Sequence, residues 1–230
     1  MIDSNNIKTE VYREDVYKIK QCNFDRMPKH FVDVGANVGW FTKLVDDNFE
    51  KCNIYSYELD STNFSNFQKN LNNPKNNILA KNAAVIGFND FNKYWKHSYN
   101  IGGHKPIFLG SGSYISEDSI DTRMLEDMKT RGHFVEIKME KVTLWDIIEN
   151  NKIDFIDFLK LDCEGSEYEI LEHAVEENYC DKILNLAAEM HGRNYPGYTK
   201  LINIIKKKFD FVEIHRNILF AKNKIKGEKI

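Results

Sequence analysis

Hydrophobic and polar positions along the chain follow two different periods, and together they predict alternating strands and helices. Residues 30–34 form a short apolar run that ends at a glycine, as a buried strand leading into a turn does. Apolar residues recur at helical spacing over 38–49, and a second strand is predicted over 53–58. Asp60 then begins a helix that stops near Asn73 and Pro74. These elements already form a βαβ unit.

The remainder of the chain continues the alternation. A cap at Thr143 begins a short helix, and the last two strands are so close in sequence that they must pair antiparallel. The further predicted strands are 78–86, 134–139, 154–162, 182–190, 211–215 and 218–221, and the further predicted helices are 144–149, 164–178 and 197–208. The pattern therefore predicts an α/β, Rossmann-like sandwich with a mostly parallel sheet and a C-terminal antiparallel hairpin.

Length and composition indicate one ordinary globular domain. The chain has 230 residues, of which 42% are hydrophobic and 13% aromatic, enough to build a core and to exclude a disordered class. We predict a single domain over 1–230, with an N-terminal extension at 1–29 and an acceptor-side loop insertion at 97–131. That insertion is rich in glycine and almost without periodicity, so a substrate loop and plain disorder both stay open.

Charge and hydropathy exclude several kinds of partner. The formal net charge is −3 without a long basic block, so we expect no nucleic-acid partner. No apolar run approaches the roughly 20 residues of a membrane-spanning helix, and the first residues lack the pattern of a secretory signal. We therefore expect a cytoplasmic protein with no membrane span, its 4 cysteines reduced, while the many aromatic residues leave room for a homodimer surface.

Glycines between the first strand and helix predict a site for a small polar ligand. Asp33, Gly35, Asn37 and Gly39 lie in this βα turn, and Glu58 ends the next strand, where an acidic residue can hydrogen-bond a ribose diol. Together they indicate adenosine. The spacing is not the G-x-G-x-x-G that brings a pyrophosphate to a helix N-terminus, so a dinucleotide is less favoured.

A second group of polar residues is predicted at the carboxyl ends of two later strands. Lys160 and Asp162 alternate to one side of a strand, and burial of this lysine requires a partner, for which Asp162 is the obvious candidate. Glu189 and His191 share one face at the end of the next strand. Asp162, Glu189 and His191 could hold a divalent metal or orient a general base, and spacing alone does not separate these interpretations.

Two further residues have alternative interpretations. Asn82, after the third strand, could contact an adenine or hold its own loop. Glu167 is explained well as a carboxylate at a helix N-terminus.

The chain resembles the FkbM family of S-adenosylmethionine-dependent methyltransferases. The segments that carry the resemblance are 31–42, 57–58 with Asn70, 82–85, 143–146 and above all 158–167, which reads Phe-Leu-Lys-Leu-Asp-Cys-Glu-Gly-Ser-Glu. The resemblance implies a class I methyltransferase fold with a seven-stranded sheet, S-adenosylmethionine at the first strand ends, and methyl transfer to a hydroxyl of a sugar or polyketide-like acceptor. One departure is Leu59, where the family often has proline after the glutamate.

The functional hypothesis is an O-methyltransferase that acts on a sugar or nucleotide-sugar hydroxyl in surface-glycan biosynthesis. The expected cofactor-binding residues are Asp33, Gly35, Asn37, Gly39, Glu58 and Asn82. The expected catalytic residues are His191 as the base with Lys160, Asp162 and Glu189, and Mg²⁺ or Mn²⁺ on Asp162, Glu189 and His191 is left open.

Three other functions stay open. They are methyl transfer to another small-molecule or lipid hydroxyl, an NAD-binding oxidoreductase, and a non-catalytic S-adenosylmethionine-binding module.

Overall fold

The computed structural model describes residues 4–87, 94–97, 134–137, 140–163, 166–191 and 197–224. The strands are β1 (His30–Val34), β2 (Asn53–Tyr57), β3 (Asn77–Lys81), β4 (Ala83–Ile86), β5 (Tyr94–His97), β6 (Phe134–Ile137), β7 (Glu140–Thr143), β8 (Phe158–Leu161), β9 (Asn185–Glu189), β10 (Phe211–His215) and β11 (Ile218–Lys222). The α-helices are α1 (Ser4–Ile7), α2 (Trp40–Asn48), α3 (Ser61–Asn70), α4 (Leu144–Asn150), α5 (Glu167–Glu176) and α6 (Tyr198–Lys208).

Seven strands form one central sheet in the order β10-β11-β9-β8-β1-β2-β3. The strands from β9 to β3 are parallel to their neighbours, whereas β11 is antiparallel to both β9 and β10. The predicted fold class, with its C-terminal antiparallel hairpin, is therefore confirmed. The chain runs outward from β1 through β2 to β3, and β8 then pairs with the other side of β1. The carboxyl ends of β1 and β8 thus border the crevice where open α/β sheets bind ligands.

The single strand predicted over 78–86 is in fact two strands that belong to different sheets. β3 pairs with β2, whereas β4 pairs in parallel with β7 in a separate two-stranded sheet. The break falls at Asn82, whose side-chain amide donates hydrogen bonds to the carbonyls of Glu58 and Leu59 at 2.8 and 3.0 Å. β5 and β6 form a third, antiparallel sheet of two strands.

The helix boundaries follow local capping chemistry. The Asp60 carboxylate accepts hydrogen bonds from the backbone amides of Thr62 and Asn63, as its predicted role at the start of α3 requires. Thr143 and Asp146 form a reciprocal capping box at the start of α4, which confirms the predicted cap. Each apolar side chain that these helices bury against the sheet stabilises the fold by about 1.5–3 kcal/mol.

The N-terminal extension is part of the core. After α1 the chain continues as a π-helical turn, Lys8–Arg13, and a 3₁₀ turn, Ile19–Gln21. Tyr17 and Ile19 are almost fully buried in the hydrophobic cluster that also holds Phe41 and Phe158. The extension therefore covers the sheet beside the carboxyl ends of its central strands.

Two sequence predictions concern segments that are described only in part. Of the predicted insertion at 97–131, His97 ends β5, and residues 98–131 lie outside the described residues. Within the described ranges, no helix combines the length and the hydropathy that crossing a bilayer requires.

Candidate functional site

A cavity of about 170 Å³ lies at the crevice between the carboxyl ends of β1 and β8. The side that belongs to the sheet includes Gly35, Asn37, Lys160, Asp162, Glu189 and His191. The opposite side comes from the N-terminal extension, which contributes Glu10 and Tyr17 among others. The cavity thus joins the glycine loop to the second predicted group of polar residues, as the strand order requires.

The glycine loop folds tightly against the protein itself. Gly35 and Gly39 have φ of +73° and +91°, the left-handed region that favours glycine. A Cβ on Gly35 would lie 1.7 Å from the backbone oxygen of Asp162, and one on Gly39 would lie 2.8 Å from the Phe67 ring. The tight turn predicted from these glycines is present. The space that their missing side chains leave is filled by protein atoms, and Gly39 does not line the cavity.

Glu58 holds the glycine loop in place from the end of β2. Its carboxylate accepts hydrogen bonds from the backbone amides of Asn37 at 2.8 Å and Asp60 at 2.7 Å. Burial raises the pKa of Glu58 to about 7, although both hydrogen bonds and the charge of Lys160 oppose that rise. Neither Glu58 nor Asn82 lines the cavity, and Asn82 holds its own loop, one of the two interpretations left open by the sequence.

Lys160 and Asp33 form a buried ion pair beneath the cavity. The Lys160 ammonium lies 3.1 Å from Asp33 Oδ1 and donates hydrogen bonds to the carbonyls of Val34 at 3.1 Å and Gly35 at 2.6 Å. Asp162, the partner expected from the sequence, lies farther away at 3.8 Å. The expectation missed Asp33 because register across β1 and β8, which places residues 33 and 160 side by side, is not visible in one strand alone.

The carboxylates around Lys160 favour its charged form. Burial by itself would lower the pKa of Lys160, but the carboxylates of Asp33 and Asp162 outweigh it and raise that pKa above its ordinary value. The remaining oxygen of Asp33 accepts a hydrogen bond from the Thr42 hydroxyl at 2.7 Å. A lysine with this environment keeps its proton, and its contacts connect β8 to the glycine loop.

Asp162, Glu189 and His191 meet at the cavity, as predicted from their places at adjacent strand ends. His191 Nε2 lies 3.9 Å from Asp162 Oδ1 and 3.7 Å from Glu189 Oε1. Their potential ligand atoms all lie within 4.8 Å of one another, close enough to surround one divalent ion. Burial and the charge of Asp162 raise the pKa of Glu189, whereas His191 and a hydrogen bond from Asn217 lower it. The site therefore concentrates negative charge beside an imidazole.

Tyr17 is a member of this site that sequence reasoning missed. Its buried hydroxyl donates a hydrogen bond to Asp162 Oδ2 at 2.8 Å and lies 3.4 Å from Glu189 Oε2. Its ring lies 5.6 Å from the Lys160 ammonium. Because Tyr17 and Asp162 are 145 residues apart, no local pattern indicates this contact.

Glu167 contacts His191 and the Cys163 backbone amide in addition to lying at a helix N-terminus. It lies at the N-terminus of α5, as the sequence predicted, and its side chain is fully buried. Its Oε1 lies 3.0 Å from His191 Nδ1 and accepts a hydrogen bond from the backbone amide of Cys163 at 2.7 Å. Pairing of Glu167 with His191 could have been found only from the positions of β8 and β9 in the sheet.

The chain resembles known methyltransferases in both sequence and structure. It is 23% identical over 205 residues to methyltransferase sdnD of Sordaria araneosa, an alignment that covers 82% of this chain and 75% of that protein. It is 20% identical over 184 residues to methyltransferase 1 of Beauveria bassiana, covering 80% of this chain and 72% of that one.

A solved structure and a family model agree with these relatives. The crystal structure of methyltransferase FkbM from Methylobacillus flagellatus superposes with a TM-score of 0.51 at 14% identity, and supports the fold. The match covers 93% of this chain, which spans about half (47%) of that longer chain. The model of the methyltransferase FkbM domain matches residues 33–220. The chain therefore belongs to the FkbM methyltransferase family.

Proposed function

We propose that the protein transfers a methyl group from S-adenosylmethionine to a hydroxyl of a small polyhydroxylated acceptor, a sugar or nucleotide-sugar. The observation that carries this proposal is the cavity that places His191, Asp162 and Glu189 beside the glycine loop at the sheet crevice. Membership of a methyltransferase family supplies the reaction class.

The residues around the glycine loop fit an adenosyl cofactor. The Glu58 carboxylate at the end of β2 orders the loop through the Asn37 amide. Glu58 does not line the cavity, but each of its oxygens keeps a second lone pair for a ribose hydroxyl. Gly35 and Asn37 line the cavity directly, and Asp33 supports them from below through Lys160. In this assignment Gly39 and Asn82 act indirectly, by shaping the loops around the cofactor.

The residues on the acceptor side of the cavity remove the proton of the acceptor hydroxyl. When bound, S-adenosylmethionine would supply a methyl group on a sulfonium sulfur, and that sulfur would keep the electron pair of the carbon–sulfur bond on transfer. His191 Nε2 accepts the proton of the acceptor hydroxyl as the oxygen forms its bond to the methyl carbon. Asp162 and Glu189 accept hydrogen bonds from neighbouring hydroxyls and stabilise the imidazolium that forms. Lys160 stays protonated and keeps the loop in place rather than moving a proton.

An acceptor with several hydroxyls matches this wall of the cavity. Carboxylates accept hydrogen bonds and cannot donate them when ionised, so they favour an acceptor rich in hydroxyl donors. Glu10 adds another acidic side chain to the same cavity. A role in surface-glycan biosynthesis is part of the proposal only if the acceptor is a sugar or nucleotide-sugar. The other small-molecule and lipid hydroxyls are tested in the same experiment.

A metal-assisted form of the reaction is favoured by one specific observation. Asp162, Glu189 and His191 can offer one ligand atom each to a single ion, and the two carboxylates are the ligands that suit Mg²⁺ or Mn²⁺. A bound ion at these residues would orient a diol and acidify one of its hydroxyls. Full activity after exhaustive chelation would exclude this form.

The experiment that tests the proposal is transfer of tritium from S-[methyl-³H]adenosylmethionine to a panel of sugars, nucleotide-sugars, other small alcohols and lipid alcohols. We expect labelled product with a sugar-type acceptor and its loss by at least about 100-fold in a His191→Ala variant. His215→Ala, at an exposed histidine of β10, is the matched control and retains full transfer.

Two results would contradict the proposal. Full methyl transfer by His191→Ala would show that His191 is not the general base. Cofactor binding without labelling of any acceptor would favour a non-catalytic binding module.

A further inference from the structure

The contact between Glu167 and His191 joins the start of α5 to the end of β9. Glu167 is fully buried, and its Oε1 lies 3.0 Å from His191 Nδ1. The same oxygen accepts a hydrogen bond of 2.7 Å from the backbone amide of Cys163, which fixes the orientation of the carboxylate. His191 is the more exposed partner and lines the cavity, with 22% of its side chain exposed.

We propose that Glu167 is a positioning residue that holds His191 with its proton on Nδ1 and thereby presents an unprotonated Nε2 to the cavity. An ionised carboxylate only accepts hydrogen bonds, so the ring nitrogen that faces it is the one that carries hydrogen. In a neutral imidazole the other nitrogen is then the acceptor. This inference rests on the proposed function, since it gives His191 the tautomer that a general base needs.

Two contacts of His191 Nε2 agree with this orientation. Nε2 faces Asp162 and Glu189 at 3.9 and 3.7 Å, distances longer than a hydrogen bond. These carboxylates can stabilise a positive ring after it has gained a proton on Nε2. A buried carboxylate on one side of the imidazole and the cavity on the other is the general arrangement of an oriented base. The same orientation would direct Nε2 to a divalent ion, so the inference holds for both forms of the reaction.

The competing explanation is that Glu167 serves only the helix. A carboxylate in the first turn interacts favourably with the helix dipole without any effect on an imidazole. α5 also carries Glu169 in its first turn, another mostly buried glutamate with no contact to His191 among the described hydrogen bonds and ion pairs. Glu169→Gln is therefore a matched control for Glu167→Gln, since both replace a glutamate in the first turn of the same helix with its amide.

The test is the tautomer of His191 in protein labelled with ¹⁵N-histidine. Long-range ¹H–¹⁵N spectra, recorded where the imidazole is neutral, distinguish a protonated from an unprotonated ring nitrogen, and the signals that disappear in His191→Ala assign the residue. We expect the Nδ1–H form in the wild type and in Glu169→Gln. In Glu167→Gln the ratio of the two tautomers should shift toward Nε2–H by at least about tenfold, because a charged hydrogen-bond partner is lost.

A second variant and a binding measurement keep the outcomes distinct. Glu167→Asp retains the carboxylate and should retain the Nδ1–H form, so it also serves if Glu167→Gln fails to fold. S-adenosylhomocysteine affinity, measured by calorimetry, should stay within about twofold in every variant. An Nε2–H tautomer in the wild type, or an unchanged tautomer in a folded Glu167→Gln, would overturn the inference. Absence of S-adenosylhomocysteine binding by the wild type would instead contradict the proposed function.

Discussion

Replacement of Lys160 by methionine tests whether the buried ion pair holds the glycine loop. Methionine keeps much of the aliphatic length of lysine but removes the ammonium, leaving Asp33 buried without its counter-ion. Breaking a buried pair in this way costs about 3–5 kcal/mol of folding free energy. The carbonyls of Val34 and Gly35 also lose their hydrogen bonds to the ammonium. We therefore expect Lys160→Met to lower the free energy of unfolding by at least about 3 kcal/mol.

Urea denaturation followed by circular dichroism measures this loss, with an exposed ion pair as control. Lys81 pairs with Glu140 at 3.1 Å with 41% and 55% of their side chains exposed, so Lys81→Met should cost no more than about 1 kcal/mol. Adding Asp33→Asn to Lys160→Met should recover part of the loss, because the second buried charge is then gone as well. A loss in Lys160→Met no larger than in the Lys81→Met control would refute the assigned role of the pair.

Three other perturbations test separate parts of the structure. Gly35→Ala should destabilise the fold more than Gly39→Ala in thermal unfolding, because the Cβ on Gly35 would lie 1.7 Å from a backbone oxygen and the Cβ on Gly39 would lie 2.8 Å from a side-chain ring. Equal losses would contradict this. Burial and the charge of Glu172 raise the pKa of Glu169 from 4.5 to about 7. Between pH 4.5 and about 7, the folded protein therefore keeps a proton that the unfolded chain has lost. The free energy of unfolding falls by up to about 3 kcal/mol as the pH rises through this range. Burial raises the pKa of Glu58 to about 7 as well, so Glu169→Gln should reduce the fall and leave the part that comes from Glu58 in denaturation curves recorded from pH 4 to 8. An unchanged slope would contradict the assignment. Tyr17→Phe should lower the free energy of unfolding by about 1.5–3 kcal/mol through loss of the hydrogen bond to a carboxylate. Tyr12→Phe, which removes a less buried tyrosine–carboxylate bond, should cost less, and the reverse order would count against the placement of Tyr17.

The fold was predictable because its determinants are local. Apolar runs at β1, β2 and β8, the glycine loop and the caps at Asp60 and Thr143 each depend on neighbouring residues, and each is found near its predicted place. The boundary at Asn82 was missed because an apolar run does not reveal that its two halves pair with different strands.

The residues of the site were easier to predict from the sequence than the contacts between them. Asp162, Glu189 and His191 could be brought together from the rule that parallel strands end at one edge. The pairing of Lys160 with Asp33 depends on register, and the contact of Tyr17 with Asp162 depends on how the N-terminal extension crosses the sheet. Such contacts leave no periodicity in a single sequence, since they join segments far apart along the chain.

The N-terminal extension contributes to the site as well as to the core. It lies outside the motifs that carry the family resemblance, yet Glu10 and Tyr17 line the same cavity as the glycine loop. The Asp15 carboxylate accepts hydrogen bonds from the backbone amides of Ile19 and Lys20. These bonds stabilise the turn that contains Tyr17. We therefore expect the extension to shape the acceptor side of the site.

The central claim, an adenosyl-sulfur cofactor at the glycine loop beside an acceptor-hydroxyl site, is tested most directly by calorimetric titration. The wild-type protein is titrated with S-adenosylmethionine, S-adenosylhomocysteine and NAD, each with and without Mg²⁺ or Mn²⁺. We expect saturable one-to-one binding of the two sulfur nucleotides and no binding of NAD. Preference for NAD, or binding of none of the three, would contradict the assignment of the glycine loop and Glu58 to S-adenosylmethionine.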